Sequence, residues 1–201
     1  IRQVPRKATL GTPGEQRRLR LELKIFAEAG LLGFPNAGKS TFISRVTAAR
    51  PKVADYPFTT LDPQVGIARV KDYDTLVVAD LPGLIEGAAE GAGLGHRFLK
   101  HVERCGILVH LVDVSEAAER EPAVAWETLE DELRRYSSEL HAKPRLTVAS
   151  KCFEDDGWEE RLEQLRAVAG STVVGMSSIL GTGVDEVLRD AHRVVRGLDE
   201  E

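Results

Sequence analysis

The chain has 201 residues, 42% of them hydrophobic and 29% charged, with a net charge of −5. That length suffices for one well-buried domain plus an arm. The acidic balance excludes wholesale nucleic-acid coating, and no apolar run approaches the roughly 20 residues of a membrane span.

Charge is unevenly spread. Residues 1–24 carry Arg2, Arg6, Lys7, Arg17, Arg18, Arg20 and Lys24 against Glu15 and Glu22, which leaves the remainder at −10. A basic arm on an acidic domain suits contact with RNA, and a solvated linker has the same composition. The start at Ile1-Arg2-Gln3 is neither a signal peptide nor an initiator methionine, so the chain reads as a piece of something longer. Cys105 and Cys152 lack metal-ligand spacing and read as two free thiols of a reducing compartment.

Pro5, Gly11, Pro13 and Gly14 keep the first residues out of a helix. From Glu15 to Lys24, Leu19, Leu21 and Leu23 alternate with charged residues, and the alternation predicts a half-buried strand that continues through Ile25 and Phe26. The short apolar run Ala29-Gly30-Leu31-Leu32 predicts a buried strand. It leads into Gly33-Phe34-Pro35-Asn36-Ala37-Gly38-Lys39-Ser40, then Thr41, the pattern G-x-x-x-x-G-K-S. In such a loop the glycines let the backbone curl, so that N–H groups converge on phosphates. Lys39 adds a point charge for the β- and γ-phosphates, and Ser40 offers a hydroxyl to Mg²⁺. Phe42, Ile43 and Val46 recur at helical spacing, predicting a helix to about Ala49.

Residues 51–63 hold three prolines and the pair Thr59-Thr60, and predict a loop. A threonine there can join a Mg²⁺ shell while the γ-phosphate is present and release it after hydrolysis. Gln64 to Val70 and Tyr73 to Ala79 predict a strand pair. The second runs straight into Asp80-Leu81-Pro82-Gly83, where Asp80 can hold Mg²⁺ through water and the Gly83 N–H can approach a γ-phosphate. Residues 83–95 carry five glycines and predict a loop, followed by a helix from about His96 to Arg104.

Gly106 to Val114 predicts a buried strand. Pro122 to Leu140 predicts one amphipathic helix with Val124, Leu129, Leu133 and Tyr136 on its apolar stripe. A strand at Arg145 to Ala149, a helix at Trp158 to Val168, a strand at Thr172 to Met176 and a helix at Val184 to Val195 complete the pattern. Strands alternating with helices predict an α/β, three-layer P-loop NTPase fold: a mostly parallel sheet with helices on both faces and its ligand at the carboxyl ends of the strands.

Four stretches together closely resemble the Obg family of translation-factor-class GTPases: Gly33 to Thr41, Ala54-Asp55-Tyr56-Pro57-Phe58-Thr59-Thr60-Leu61, Asp80 to Ala88, and Gly93 to Leu99. The resemblance implies a GTPase domain over residues 26–197, a basic arm over 1–25 leaving a glycine-rich amino-terminal domain, and a tail over 198–201. It implies GTP and GDP as ligands, with Asn36 to Thr41 on the phosphates, and Ser40, Thr60 and Asp80 serving Mg²⁺. Lys39, Thr60 and Gly83 would carry catalysis, and Phe58, Thr59, Leu81 and Pro82 would lie at the switches. Ser177-Ser178-Ile179 falls where the family contacts the guanine carbonyl. By resemblance the partner is the large ribosomal subunit with its RNA, and the protein is a cytoplasmic monomer. It also points to K⁺ near Asn36, since Leu84 stands where many signalling GTPases place a water-orienting glutamine.

One motif departs from the family. In place of N-K-x-D the chain has Ser150-Lys151-Cys152-Phe153. Phe153 accepts no hydrogen bond from guanine, a loss of roughly a hundredfold in affinity. A one-residue loop shift would be needed to bring Glu154 to the base, and an ordinary exposed acidic residue is the simpler reading. The alternative function is thus a nucleotide-binding scaffold with altered base choice and little turnover. A metabolic kinase would need an arginine-bearing lid that no segment resembles.

Overall fold

The structure is a computed structural model that describes residues 11, 14–18, 27–47, 52–53, 64–71, 74–81, 104–170 and 172–197. The strands are β1 (Ala27–Leu32), β2 (Lys52–Val53), β3 (Gln64–Lys71), β4 (Asp74–Asp80), β5 (Cys105–Asp113), β6 (Arg145–Ser150) and β7 (Val173–Gly175). The helices are α1 (Lys39–Val46), α2 (Pro122–Tyr136), α3 (Ser138–His141), α4 (Trp158–Ala169) and α5 (Val184–Arg196).

The strands form one seven-stranded sheet in the order β2-β3-β4-β1-β5-β6-β7. Pairings from β4 through β7 are parallel, and only β3 runs against its neighbours. The central strand β5 is buried along almost its whole length, as a strand covered on both faces must be. Phe42 and Ile43 of α1 pack with Val184, Val187, Leu188 and Ala191 of α5 on one face. Leu129 and Leu133 of α2, Leu140 of α3, and Leu162 and Leu165 of α4 cover the other. This is the three-layer architecture that the alternating pattern predicts.

Register decides where chemistry can gather. Leu31 of β1 lies beside Asp80 of β4 and Val109 of β5, and Asp113 of β5 lies beside Ser150 of β6. The carboxyl ends of four adjacent parallel strands therefore open on the same edge, where ligands of such sheets bind.

Several boundaries differ from expectation. α1 stops at Val46, because Thr47 turns extended and bridges to Ala68. The stretch expected to be loop over 51–63 contributes the two residues of β2. The helix expected over 122–140 breaks at Ser137, which is extended (φ −158°) and whose Oγ accepts from the Leu140 N–H to start α3. Val124 is 52% exposed, because the buried stripe is Ala125, Leu129 and Leu133, four residues apart. Residues 15–18 are exposed and hold no strand; their polar side chains leave nothing to bury, and Arg17 pairs with Glu15 at 2.7 Å. The rest of that expected strand lies outside the described residues, as does the helix expected from about His96 to Arg104 except for Arg104, which is a turn. Both cysteines are buried thiols without a disulfide, and burial pushes Cys105 up to about 12 and Cys152 up to about 11.

Candidate functional site: a phosphate loop and a base cleft

The loop after β1 is shaped by three left-handed or glycine-only positions. Gly33 has φ +149°, and a Cβ there would lie 2.5 Å from the Leu111 carbonyl oxygen, so a side chain is sterically barred. Asn36 (φ 63°) and Gly38 (φ 92°) turn the chain again, and the Ala37 N–H donates to the Phe34 carbonyl at 3.1 Å. Gly38 then caps α1 with no side-chain acceptor, and the first helical bond runs from the Phe42 N–H to the Gly38 carbonyl at 2.9 Å. The N–H groups of the first turn are thus left for an anion at the positive end of the helix.

Lys39 arches back over this loop. Its Nζ donates to the Gly33 carbonyl at 2.8 Å and the Phe34 carbonyl at 2.9 Å. Burial lowers its pKa, and the negative charge of Asp80 opposes that shift. The ammonium is held where a phosphate would give it better partners than two neutral carbonyls.

Beside it, Ser40 Oγ donates to Asp80 Oδ2 at 2.9 Å. Asp80 is 8% exposed, and its other oxygen, Oδ1, is buried with no hydrogen-bond partner. A bare buried carboxylate oxygen is costly unless a cation or its water shell completes it. Two hard oxygen donors beside a phosphate loop fit Mg²⁺, which keeps several waters and binds through one or two protein oxygens. The expected partners Phe58, Thr59, Thr60, Pro82 and Gly83 lie outside the described residues, as does Leu84.

A second part of the site lies at the ends of β5 and β6. Ser150 is buried, and its Oγ donates to the Ala37 carbonyl at 2.8 Å, tying β6 to the phosphate loop. Lys151 (φ 60°) sends Nζ to Asp113 Oδ2 at 2.5 Å. Asp113 Oδ1 also accepts from the Ser115 N–H at 2.9 Å and from Ser115 Oγ at 2.7 Å. Ser115, Ser150 and Lys151 border a cleft of about 390 Å³, which Glu154, Asp155, Ser178 and Ile179 also line. That volume is in the range of small-molecule sites.

Six of the expected residues, Gly38, Thr41, Ser150, Lys151, Ser178 and Ile179, line the cleft, while Lys39, Ser40 and Asp80 are joined through the phosphate loop. Leu81 is buried, its N–H donating to the Leu31 carbonyl at 3.3 Å. Ser177 is buried, and its Oγ donates to Glu154 Oε1 at 2.7 Å. Phe34 and Pro35 with Asn36 border a separate small cavity that His110 also lines, and the Asn36 amide donates to Glu119 at 3.3 Å. Phe153 is not among the residues lining the cleft: its ring packs on Trp158 with centroids 4.2 Å apart. Asp113 and Ser115 were not singled out from sequence, although a carboxylate two residues before a serine at a strand end is the signal of an Asx turn.

A strand, a glycine-pinned loop closed by a lysine, a helix amino terminus and a serine–aspartate pair define a P-loop nucleotide-binding protein. A family model described as "50S ribosome-binding GTPase" matches residues 28–151, and the chain belongs to this family. GTPase Obg of Desulforudis audaxviator (strain MP104C) is 48% identical over 202 residues, covering 100% of this chain and 47% of that protein. GTPase Obg of Myxococcus xanthus (strain DK1622) is 50% identical over 198 residues, covering 96% of this chain and 41% of that protein. The chain thus spans about half the length of the curated relatives it matches, and they agree with the Obg resemblance carried by its motifs. Among solved structures, a GDP-bound mutant of NFeoB from S. thermophilus aligns with a TM-score of 0.63 at 20% identity, covering 87% of this chain and 65% of that one. A mutant of Era from Aquifex aeolicus bound to GDP.AlF4- aligns with a TM-score of 0.61 at 16% identity, covering 87% of this chain and 57% of that one. Those two likenesses bear on the fold.

Proposed function

We propose that this chain is the nucleotide-binding, GTP-hydrolysing module of an Obg-type switch, spanning residues 26–197 behind a basic arm. The observation that carries the reading is the Lys39–Ser40–Asp80 arrangement, with its bare Asp80 oxygen, at the strand edge shared with the base cleft. Relatives named GTPase Obg support guanine as the base.

In this reading Lys39 leaves the Gly33 and Phe34 carbonyls for the β- and γ-phosphates, and the first-turn N–H groups of α1 hold the phosphate oxygens. Ser40, with Thr60 and Asp80, would hold Mg²⁺, which supplies neutralisation of the phosphate charge. Water attacks the γ-phosphorus, the bond to the bridging oxygen of GDP breaks, and inorganic phosphate leaves. The Gly83 N–H would follow the γ-phosphate and couple its loss to the switch. Leu84 cannot orient that water, so turnover by the isolated chain is slow. Asn36 is the residue through which K⁺ would assist, and equal rates in KCl and NaCl would remove that part. The ribosomal large subunit is the proposed partner, approached through the basic arm in the cytoplasm.

The test is phosphate release from GTP with Mg²⁺, comparing the chain with Lys39→Ala. The reading expects slow turnover that chelation of Mg²⁺ abolishes and that Lys39→Ala reduces at least about 100-fold. Nucleotide binding without turnover would instead favour the scaffold function.

A further inference from the structure

We infer that Glu154 is the carboxylate that reads the guanine base, taking over the task for which Phe153 is chemically unfit. The inference rests on the guanine reading above.

Three residues after Cys152 compete for the position, and the structure separates them. The Phe153 backbone is left-handed (φ 65°), and its ring is turned onto Trp158. Asp155 is committed elsewhere: it accepts from the Glu116 N–H at 2.6 Å and pairs with Arg161, whose Nε is itself fixed on the Val114 carbonyl at 2.6 Å. Glu154 lines the cleft, and its Oε1 accepts from Ser177 Oγ at 2.7 Å. Ser177 is in turn fixed by its Oγ accepting from the Leu180 N–H at 3.1 Å and its N–H donating to the Thr182 carbonyl at 3.0 Å. Glu154 and Asp155 both border the cleft with Ser178 and Lys151, but Asp155 is taken up by Arg161 and the Glu116 N–H, so Glu154 is the carboxylate left for a ligand, held by the Ser177 hydroxyl.

The extra residue in this loop is absorbed locally. Left-handed conformations at Lys151 and Phe153 wind the chain back on itself, and a non-glycine residue persists there only when its surroundings hold it. The Phe153–Trp158 packing supplies that hold, and the winding returns the next side chain to the cleft. The longer glutamate then needs no shift of β6, whose end remains tied to Ala37 through Ser150.

The chemistry fits one base. Guanine presents two donors side by side, N1–H and the exocyclic C2 amino group, and a carboxylate accepts both in a bidentate pair. One bond from Ser177 leaves the carboxylate's remaining lone pairs available. Adenine turns an unprotonated ring nitrogen toward the same place and is repelled. Xanthine carries a C2 carbonyl in place of the amino group, so it also repels a carboxylate but accepts from an amide.

The test is displacement of a fluorescent GDP analogue, with Mg²⁺, by GDP, XDP and ADP, using the chain and Glu154→Gln. Glutamine keeps the shape and the Ser177 bond, and thermal melting of both proteins verifies the fold. The expected result is GDP preference in the parent chain, with Glu154→Gln losing GDP affinity about 100-fold and gaining XDP affinity. Glu154→Gln that keeps the parent's GDP preference overturns the inference while leaving the guanine reading intact. A parent chain that binds ADP as well as GDP overturns both.

Discussion

Asp80 enters the fold with one oxygen engaged by Ser40 and the other buried and bare. Its geometry makes the metal role specific enough to test at one atom. Asp80→Asn keeps the size and the contact with Ser40 but removes the charge, so Mg²⁺ should no longer strengthen GDP binding, as measured by calorimetry with and without Mg²⁺. A second buried residue reports on acidity. His110 is 1% exposed between the phosphate loop and α2, and burial first, then the charges of Arg145 and Lys39, lower its pKa from 6.5 to about 3. Its Nδ1 lies 4.0 Å from Glu130, but Glu130 already has Arg145 at 2.6 Å, and a neutral imidazole forms no ion pair. The folded pKa is depressed, so the stability from neutral His110 is complete above pH 6.5 and lost as pH falls toward 3. From pH 6.5 to 5 that loss is about 2 kcal/mol. Replacing His110 by Leu should flatten this acid limb in urea denaturation, whereas Glu130, whose pKa burial raises, titrates in both proteins. At this scale the phosphate loop was legible because its chemistry follows from fixed spacing. Glu154 stood in the sequence only as the less simple reading, because the left-handed turn at Phe153 is a backbone fact without a sequence signature.

The elements repeat the contrast. β1, β4, β5 and β6 were readable as apolar runs, and their shared edge followed from the alternation of strands and helices. The helix break at Ser137 was not, since Leu133 and Leu140 keep the same helical phase across it. The extended backbone of Ser137 and the capping bond from the Leu140 N–H to its Oγ mark two helices. Leu133 is 0% exposed against the sheet, and Leu133→Ala should cost about 2–5 kcal/mol in urea denaturation. Gly33→Ala should do damage of a different kind. Its Cβ would meet backbone at 2.5 Å, so the loop must shift, and GDP binding should fall well before the melting temperature does.

Across the whole molecule, the site is assembled from segments far apart in sequence: the loop at 33–41, Asp80, Asp113 with Ser115, 150–155 and 177–179. A ligand that bridges them ties the sheet's strand ends to the phosphate loop and stabilises the native state by mass action. GDP with Mg²⁺ at a hundred times its dissociation constant should add about 2.7 kcal/mol, visible as a rise in melting temperature. The proposed ribosomal contact, made through the basic residues of 1–24, should weaken as salt rises. The central claim is that this site binds a guanine nucleotide. Calorimetric titration of the chain with GDP and with ADP, both with Mg²⁺, tests it most directly. The account predicts micromolar or tighter GDP binding and at least about 100-fold weaker ADP binding. Equal affinity for the two, or no heat from either, would contradict it.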